Sequence, residues 1–454
     1  MTGFLTSLLA FVVAIGVLVT VHEYGHFLAA RLMGVRVLRF SVGFGRPLWS
    51  RRFGRDRTEF MVATIPLGGY VKMLDGRESE VPPGEEHRAF DRKGLGARTF
   101  VVLAGPAANF LLAIAVFALM FMIGVGGVRP VVGEITPDSP AAQAGLERGE
   151  EIVRIAGSEV TDWEQANLRL LDHAVRGDTV PLVVRDADGR EVERRLDLGA
   201  RSELLGEGQF LDRLGIAPYR PQLEPRIGEV ESGSPADRAG LQPGDRVVAM
   251  NGDTVEDWSD WVERIQARAG TEVEVTLERD GARQQVTLTP DAVETDEGTI
   301  GRIGAGVDTD QPGMRELGVI VRQGPLEAAS SGVVRTWEVT TLTLGILWRM
   351  ITGEASVKNI SGPVTIAEFA GTSAVIGISA FLGFLGIVSV SLGIINLLPI
   401  PMLDGGHLLY YAAEAVKGSP VSERTQIVGQ QIGLLMIAAL MILAFYNDLT
   451  RLFG

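Results

Sequence analysis

The sequence predicts a polytopic α-helical membrane protein with four transmembrane helices, a β-hairpin in its first loop and a large insert that contains an internal repeat. Three observations support this fold class: long apolar stretches, loops of opposite charge, and a pattern of 31 residues that occurs twice. The mean hydropathy of +0.20 accompanies a formal net charge of −14, because apolar and charged residues are segregated along the chain.

The apolar stretches contain no Asp, Glu, Lys or Arg, and each supplies the ~20 residues that cross a bilayer. They run over residues 1–21, 99–128, 369–403 and 425–447. The first lacks a basic leader and continues into His22 and Glu23 instead of a small-residue cleavage site, so we expect it to be retained. We therefore expect four transmembrane segments within residues 1–31, 98–127, 371–411 and 425–454.

Charge predicts the orientation of the chain. Residues 31–98 hold 14 Lys and Arg against 8 Asp and Glu, whereas residues 129–338 hold 23 against 41. The positive-inside rule places the loops 32–97 and 412–424 in the cytoplasm, and both termini and the acidic insert outside. The acidic balance argues against nucleic acid as a partner. The absence of cysteine excludes disulfides and thiolate metal ligands.

The repeat occupies residues 133–163 and 228–258, and it suggests two copies of one small domain. Its shared pattern SPAxxAGLxxG resembles the PDZ domains of bacterial proteases. That resemblance implies tandem extracytoplasmic PDZ domains over residues 128–221 and 222–310, with 214–216 and 303–304 near the peptide-binding grooves. PDZ domains bind an extended peptide as an added strand, often at its C-terminus. The alternative that either copy only shields the membrane site stays open.

The candidate chemistry lies at the end of the first apolar stretch, where His22-Glu23-Tyr24-Gly25-His26 forms an H-E-x-x-H motif. Positions i and i+4 share a helix face, so both imidazoles can bind one Zn²⁺ ion. Catalytic zinc takes three protein ligands and a water, whose pKa it lowers toward ~7. Glu23 is placed to act as the general base.

A third ligand is needed from elsewhere in the chain. His87 and His173 lie in polar regions away from the apolar stretches. The segment Asn396–His407 closes the third apolar stretch and offers Asp404 or His407. A carboxylate is an accepted zinc ligand, but Asp404 is also suited to capping the next helix, so the residues alone leave both candidates open.

Together, HEYGH, GPAAN, the paired repeats and NLLPIPMLDGGH resemble the site-2 protease family of intramembrane zinc metalloproteases. The resemblance implies that His22, His26 and Asp404 bind zinc and that Glu23 is the base. It also implies a bacterial inner-membrane protease whose active site lies near the cytoplasmic side. Its substrates would be single-pass membrane proteins, such as trimmed anti-sigma factors, or remnant signal peptides.

The resemblance further implies a set of substrate contacts. Residues 41–48 match the family's membrane re-entrant β-hairpin, whose edge would pair with an unwound substrate helix. Residues 105–109 are expected to serve helix packing first. In the linker 311–370, the segment 333–353 is expected to lie as an amphipathic helix on the outer membrane face. The expected substrate contacts are Gly43, Phe44, Gly45, Asn109, Asn396 and Pro399.

Two rival functions remain at this level. A catalytically silent membrane scaffold would present the two PDZ domains without hydrolysing anything. A zinc transporter would require polar residues along several spans, which the apolar stretches do not contain.

Overall fold

The computed structural model describes residues 2–77, 80–176, 179–198, 210–295, 298–353 and 362–453. Its contacts divide the chain into two compact units, one formed by 1–125 with 322–454 and the other by 126–321. We call them the helical unit and the insert unit. Residues 354–361 of the expected linker lie outside the described part of the chain.

The helical unit contains seven helices among its described residues: α1 Thr2–Leu32, α2 Leu95–Ile123, α9 Pro325–Thr352, α10 Pro363–Ile376, α11 Ile378–Leu397, α12 Asp404–Lys417 and α13 Glu423–Phe453. Four of them are long and apolar enough to cross a membrane, over Leu5–Leu32, Leu95–Ile123, Ile378–Leu397 and Arg424–Thr450. They fall where the apolar stretches predicted them. The third span is shorter than expected, because the helix ends at Leu397 and the chain reverses before α12.

Close packing of α1, α2 and α11 forms the centre of this unit. Leu18, Val116 and Leu385 belong to one buried apolar cluster, which brings the three helices together. Small residues permit the approach: a side chain on Gly25 would overlap the Ala104 carbonyl, and one on Gly386 would meet Phe117. Interfaces built on small residues are typical of membrane helices, where packing rather than water exclusion drives association.

Helix α9 differs from the expected surface helix. It packs along α2, where Gly332 lies against the backbone of Ile114 and Ala118. Val339 is buried in a cluster that includes residues of α2 and α11. The threonine hydroxyls of α9 donate hydrogen bonds to backbone carbonyls of the preceding turn, as Thr336 does to Gly332. One face of α9 is therefore buried against two candidate spans, α2 and α11.

Helix α13 is joined to α10 by a buried carboxylate. Asp448 accepts hydrogen bonds from the N–H groups of Gly362 and Val364, both at 2.9 Å, and from the Thr365 hydroxyl at 2.6 Å. These donors belong to the first turn of α10, whose N–H groups have no partners within the helix. The carboxylate thus caps one helix from another.

The β-hairpin of the first loop has more strand pairings than a simple two-stranded hairpin. Its strands are β1 Val37–Phe53 and β2 Thr58–Met73. Residues 39–42 of β1 pair with 59–62 on one side and with 69–72 on the other, while 47–53 pair with 58–63. The two long strands therefore form a four-stranded ribbon, in the order 69–73, 39–42, 58–63 and 47–53. Gly43 and Gly45 make the fold in β1 with φ of 90° and 94°, a region that favours glycine.

The insert unit contains two copies of one domain, as the repeat predicted. Their four-stranded sheets have equivalent strand orders: 158–159, 151–155, 179–185 and 191–197 in the first copy, and 253–254, 246–250, 273–279 and 282–288 in the second. Each copy has its own buried apolar core. In both, a serine caps the short helix after the Ser-Pro pair: Ser139 accepts from the Ala142 N–H, and Ser234 from the Asp237 N–H.

The helices of the insert unit are α3 Pro140–Gln143, α4 Trp163–Arg176, α5 Phe210–Leu214, α6 Pro235–Arg238, α7 Trp258–Gln266 and α8 Pro312–Leu317. Its strands are β3 Val125–Val128, β4 Val132–Ile135, β5 Glu151–Ile155, β6 Ser158–Glu159, β7 Thr179–Arg185, β8 Glu191–Asp197, β9 Ile216–Pro218, β10 Ile227–Val230, β11 Arg246–Met250, β12 Asp253–Thr254, β13 Val273–Arg279, β14 Ala282–Leu288, β15 Asp291–Thr295, β16 Gly298–Arg302, β17 Ala305–Val307 and β18 Gly318–Val321.

Candidate metal centre

The centre begins with two imidazoles on one face of α1. His22 and His26 are one helical turn apart, and their Nε2 atoms are 3.2 Å from each other. That face packs closely on α2, because a side chain on Gly105 would overlap the His26 ring. The glycine and alanines of the GPAAN segment therefore leave space for the histidines.

Asp404 reaches the same point from a chain reversal. The chain leaves α11 at Leu397 and enters α12 at Asp404, with Met402 in the left-handed region at φ 93°. A side chain on Gly405 would overlap the Leu398 carbonyl, so this tight reversal requires glycine. Leu403, not Asp404, is the N-cap of α12. The alternative that Asp404 serves as a cap is thus not what the structure shows.

The three candidate ligand atoms fit a tetrahedral zinc ion. Asp404 Oδ2 lies 3.2 Å from His22 Nε2 and 3.4 Å from His26 Nε2. Ligands at about 2.0–2.1 Å from zinc, arranged tetrahedrally, are about 3.3–3.4 Å apart. Asp404 Oδ2 is buried and accepts no hydrogen bond among the described residues. A buried carboxylate oxygen without a donor is costly unless a cation satisfies it.

The second nitrogen of each imidazole is held by α2. His26 Nδ1 lies 2.8 Å from the Val101 carbonyl, so it donates its proton there and leaves Nε2 free to bind an ion. The Asn109 amide lies 3.2 Å from His22 Nδ1, and its Oδ1 is buried without a partner. Binding of an ion by His22 Nε2 places the proton on Nδ1, and the amide then presents Oδ1 as the acceptor.

Glu23 lies between the histidines and the sheet. Its carboxylate is bonded by the backbone N–H of Val71, and Gly69 packs against its Cγ. Residues 69–73 form an outer strand of the folded ribbon, since they pair with β1 on one side only. We call residues 69–73 the edge strand. The side of the edge strand away from β1 faces the Glu23 carboxylate.

A cavity of about 280 Å³ opens beside these groups. Its polar lining includes Glu23, His26 and Asp404 at one end and Asp75 with Arg77 at the other. Burial acts to raise the pKa of Asp75, but two hydrogen bonds from the Arg77 guanidinium, at 2.6 and 2.9 Å, and one from its backbone N–H outweigh it. The pKa of Asp75 therefore lies below its usual value. The same contact raises the pKa of Arg77.

The structure brings four of the expected residues together: His22, Glu23, His26 and Asp404. His407, the rival ligand, lines the cavity, but its ligand atoms are not part of the three-residue cluster. Asn109 is buried and its side chain contacts His22, while its backbone carbonyl accepts a hydrogen bond from Ser389 of α11. Its role as a substrate contact stays a prediction.

None of the other expected substrate contacts touches a ligand atom of the centre in any described contact. Asn396 is half-buried on the last turn of α11, and Pro399 is exposed in the reversal. Phe44 stacks on Tyr70, between the glycines that fold β1. The sheet approaches Glu23 through the edge strand instead, which the sequence analysis missed. The sequence signal that could have indicated this strand is the alternation of side chains in Gly69-Tyr70-Val71-Lys72-Met73.

A second cavity lies in the later copy of the repeat. It measures about 680 Å³ and lies between α7 and the strand β17, with Trp258, Ile265 and Ile303 among its lining residues. Gly304, which the sequence analysis placed near a groove, lines it. The earlier copy contains the corresponding residues Leu214 and Ile216, both fully buried in its core.

Comparison with known proteins agrees with this geometry. The profile of Peptidase family M50 matches residues 10–440. The chain is 43% identical to the regulator of sigma-E protease RseP of Salmonella typhimurium and 42% identical to that of Escherichia coli, over all of this chain and all of each relative. A Vibrio cholerae relative, 41% identical over both full lengths, is provisionally named a zinc metalloprotease.

Among solved structures, the chain resembles the PDZ domain of an SdrC-like protein of Listeria monocytogenes. That similarity covers 21% of this chain and 96% of the domain, at 19% identity and a TM-score of 0.17. At this level it carries no argument about function.

Proposed function

Since this chain belongs to peptidase family M50 and is a zinc metalloprotease of the site-2 protease type, we propose that it hydrolyses a peptide bond within the transmembrane segment of single-pass membrane proteins. The observation that supports this most strongly is the set of three ligand atoms with tetrahedral spacing beside Glu23 and an unpaired strand edge. Metal, base and a means of holding an extended peptide are then adjacent.

His22, His26 and Asp404 would hold the zinc ion, which supplies a Lewis acid that lowers the pKa of water and polarises a carbonyl. Glu23 would take a proton from the attacking water as its oxygen bonds to the scissile carbonyl carbon. Glu23 would then give that proton to the leaving nitrogen as the C–N bond breaks. Val101 and Asn109 would fix the orientation of the two imidazoles.

The edge strand offers a way to hold the substrate. A transmembrane helix hides its peptide bonds in its own hydrogen bonds, so it must unwind before attack. An extended segment added beside residues 69–73 would regain those hydrogen bonds next to Glu23. The predicted contacts at Gly43, Phe44, Gly45, Asn396 and Pro399 would then act around this added strand, through the shape of the ribbon and the reversal before Asp404.

The charge distribution supports an inner-membrane orientation with the ribbon and the metal centre toward the cytoplasm. We propose that both termini and the insert unit are extracytoplasmic, and that the two copies are tandem PDZ domains. The names of the relatives suggest a trimmed anti-sigma factor as substrate, and remnant signal peptides are a further class. The PDZ pair would exclude intact ectodomains or bind newly formed C-termini.

Glu23→Gln in purified protein tests the proposal against a silent scaffold or a transporter. Zinc content should stay at one ion per chain, while cleavage of a model transmembrane peptide should fall by at least about 10³-fold, since general base and proton donor are both lost. Glu86→Gln is the matched control, because Glu86 is exposed in the first loop away from the cavity. Unchanged cleavage in the Glu23 variant would refute the assignment.

The role of the insert unit needs a separate experiment. Deleting residues 129–310 should allow cleavage of a substrate that still carries its full ectodomain, while a trimmed substrate should be cut as before. If the untrimmed substrate stays as resistant as in the full chain, the size filter is wrong and peptide binding in the 680 Å³ groove becomes the preferred role.

A further inference from the structure

The ribbon has an outer end that takes no part in the metal centre. Residues 46–57, which we call the outer ribbon, read Arg-Pro-Leu-Trp-Ser-Arg-Arg-Phe-Gly-Arg-Asp-Arg. They pair with 58–63 through Trp49 with Val62 and Arg51 with Phe60. Five arginines and three large apolar residues thus share twelve positions.

The apolar residues of the outer ribbon face outward. Leu48 is 70% exposed, Trp49 49% and Phe53 45%. Arginine and aromatic side chains are interleaved, and the Arg51 guanidinium lies 5.3 Å from the centre of the Phe53 ring. A basic ribbon meant only for water would not carry large apolar side chains between its charges.

The positive charge of the outer ribbon is not neutralised. Its only acid, Asp56, is bound by Arg88 at 2.7 Å and lies 4.0 Å from Arg31, which are both outside the ribbon. Among the described residues, no ion pair involves the outer ribbon's arginines, at positions 46, 51, 52, 55 and 57. Their charges are available to an anionic partner.

The position of the outer ribbon indicates which partner this is. Gly54 approaches the guanidinium of Arg31, which lies in the last turn of α1, one residue before the candidate span ends at Leu32. A row of ring contacts links Phe53 through Phe60 to Phe27 of the same helix. The ribbon therefore lies level with the end of a span, at the depth of lipid headgroups, where aromatic rings and arginines are favoured.

We propose that the outer ribbon is a binding site for anionic phospholipids of the surrounding bilayer. Its arginines contact the headgroup phosphates, and Leu48, Trp49 and Phe53 insert beside the glycerol region. This contact fixes the depth of the sheet, and so of the edge strand that continues from it. The proposal requires that α1 spans the membrane and does not depend on proteolysis.

The natural chain has no cysteine, so Leu48→Cys creates a unique labelling site on the outer ribbon. The labelled protein is placed in phosphatidylcholine nanodiscs that contain a small fraction of chain-spin-labelled phosphatidylglycerol or, in parallel, of chain-spin-labelled phosphatidylcholine. We expect stronger fluorescence quenching by phosphatidylglycerol at equal mole fraction. Each arginine is expected to contribute about fivefold to the local enrichment.

Replacing Arg46, Arg51 and Arg52 together by Gln should reduce the preference for phosphatidylglycerol by about two orders of magnitude, leaving the part contributed by Arg55 and Arg57. The control replaces Arg169, Arg190 and Arg283 by Gln, which changes the net charge equally at exposed positions of the insert unit. Circular dichroism and gel filtration establish that each variant is folded. Equal quenching by both lipids in the parent, absent quenching, or an undiminished preference in the ribbon variant would each overturn the proposal.

Discussion

At the scale of single residues, the metal centre depends as much on missing side chains as on the ligands. Gly105 of α2 faces the His26 ring so closely that a Cβ atom would overlap it. Gly25 and Gly405 meet backbone carbonyls in the same way. The positions of the ligands are therefore determined by how closely the backbones approach one another. A shift of a fraction of an ångström would disturb them.

We predict that Gly105→Ala displaces His26, lowers zinc occupancy severalfold and reduces cleavage at least in proportion. The added methyl group cannot be accommodated without moving either the imidazole or α2. Gly96→Ala on the same helix is the matched control, since no atom lies within 4 Å of its added Cβ. Metal analysis of purified variants distinguishes the two, and full occupancy in Gly105→Ala would contradict the packing argument.

Asn109 provides a second prediction at this scale. Asn109→Ala should weaken zinc binding by about 10–100-fold, because the orientation of His22 is no longer fixed by a partner on Nδ1. Competition with a chelator measures the affinity. Were Asn109 a substrate contact instead, the variant would retain wild-type zinc affinity and lose only cleavage.

The Asp75–Arg77 pair allows a prediction about pH. The pKa of Asp75 is lowered in the folded protein, so its contribution to stability is present above about pH 4 and is lost only as the pH falls through the lowered value. The effect of Asp75→Asn on the apparent unfolding midpoint should thus be constant between pH 5 and 8. A difference that changes across this range would show that the carboxylate titrates there.

The residues alone indicated the two histidines, Glu23 and the pair of candidates Asp404 and His407, because the H-E-x-x-H spacing and the end of an apolar stretch are local signals. They could not decide between the two candidates. The decision depends on the reversal at 398–403, where a glycine contact and one left-handed residue determine which side chain turns toward α1.

At the scale of elements, the four apolar helices and the repeated domain were predicted from the sequence, because hydropathy and the Ser-Pro caps are local signals. Two elements were not. The packing of α9 along α2 depends on Gly332 meeting a specific place on another helix. In the ribbon, residues 39–42 pair with two different segments, one on each side. The alternation of side chains along a strand predicts the strand but does not reveal which segment pairs with it.

Asp448 supports a prediction about how α13 is held. Asp448→Ala should remove the cap of α10 and leave its first N–H groups buried without acceptors, at a cost of about 1–3 kcal/mol. The apparent unfolding midpoint in detergent should fall. Thr450→Ala, whose hydroxyl is bonded only within α13 in the described contacts, is the control and should leave the midpoint nearly unchanged.

At the scale of the whole molecule, the two units have separate apolar cores. Among the described residues, the candidate ligands for the metal all lie in the helical unit. The six tryptophans divide equally, with Trp163, Trp258 and Trp261 in the insert unit and Trp49, Trp337 and Trp348 in the helical unit. This separation was foreseeable from the change in charge and hydropathy near residues 128 and 311. The placement of ligands from distant parts of the chain in one centre was foreseeable from the H-E-x-x-H motif and the end of the third apolar stretch, whereas the choice of Asp404 over His407 was foreseeable only through the family resemblance.

We therefore predict that removing zinc destabilises one unit alone. A ligand that binds only the folded form stabilises it in proportion to RT ln(1 + [L]/Kd), so chelation should lower the unfolding midpoint of the helical unit. The insert unit should unfold as before when it is followed by the fluorescence of Trp163, Trp258 and Trp261 in a variant whose Trp49, Trp337 and Trp348 are replaced by Phe. A parallel shift of both transitions would indicate coupling between the units that the separate cores do not suggest.

The distance along the chain between the two halves of the metal centre has a consequence for biosynthesis. His22 and His26 leave the ribosome several hundred residues before Asp404. At typical rates of synthesis, about 20–80 s separate the two events. A nascent chain that has inserted its first helix therefore lacks the third of the proposed ligands. If these three residues hold the zinc ion, the chain cannot cut neighbouring membrane proteins, or other copies of itself, before Asp404 has been synthesised.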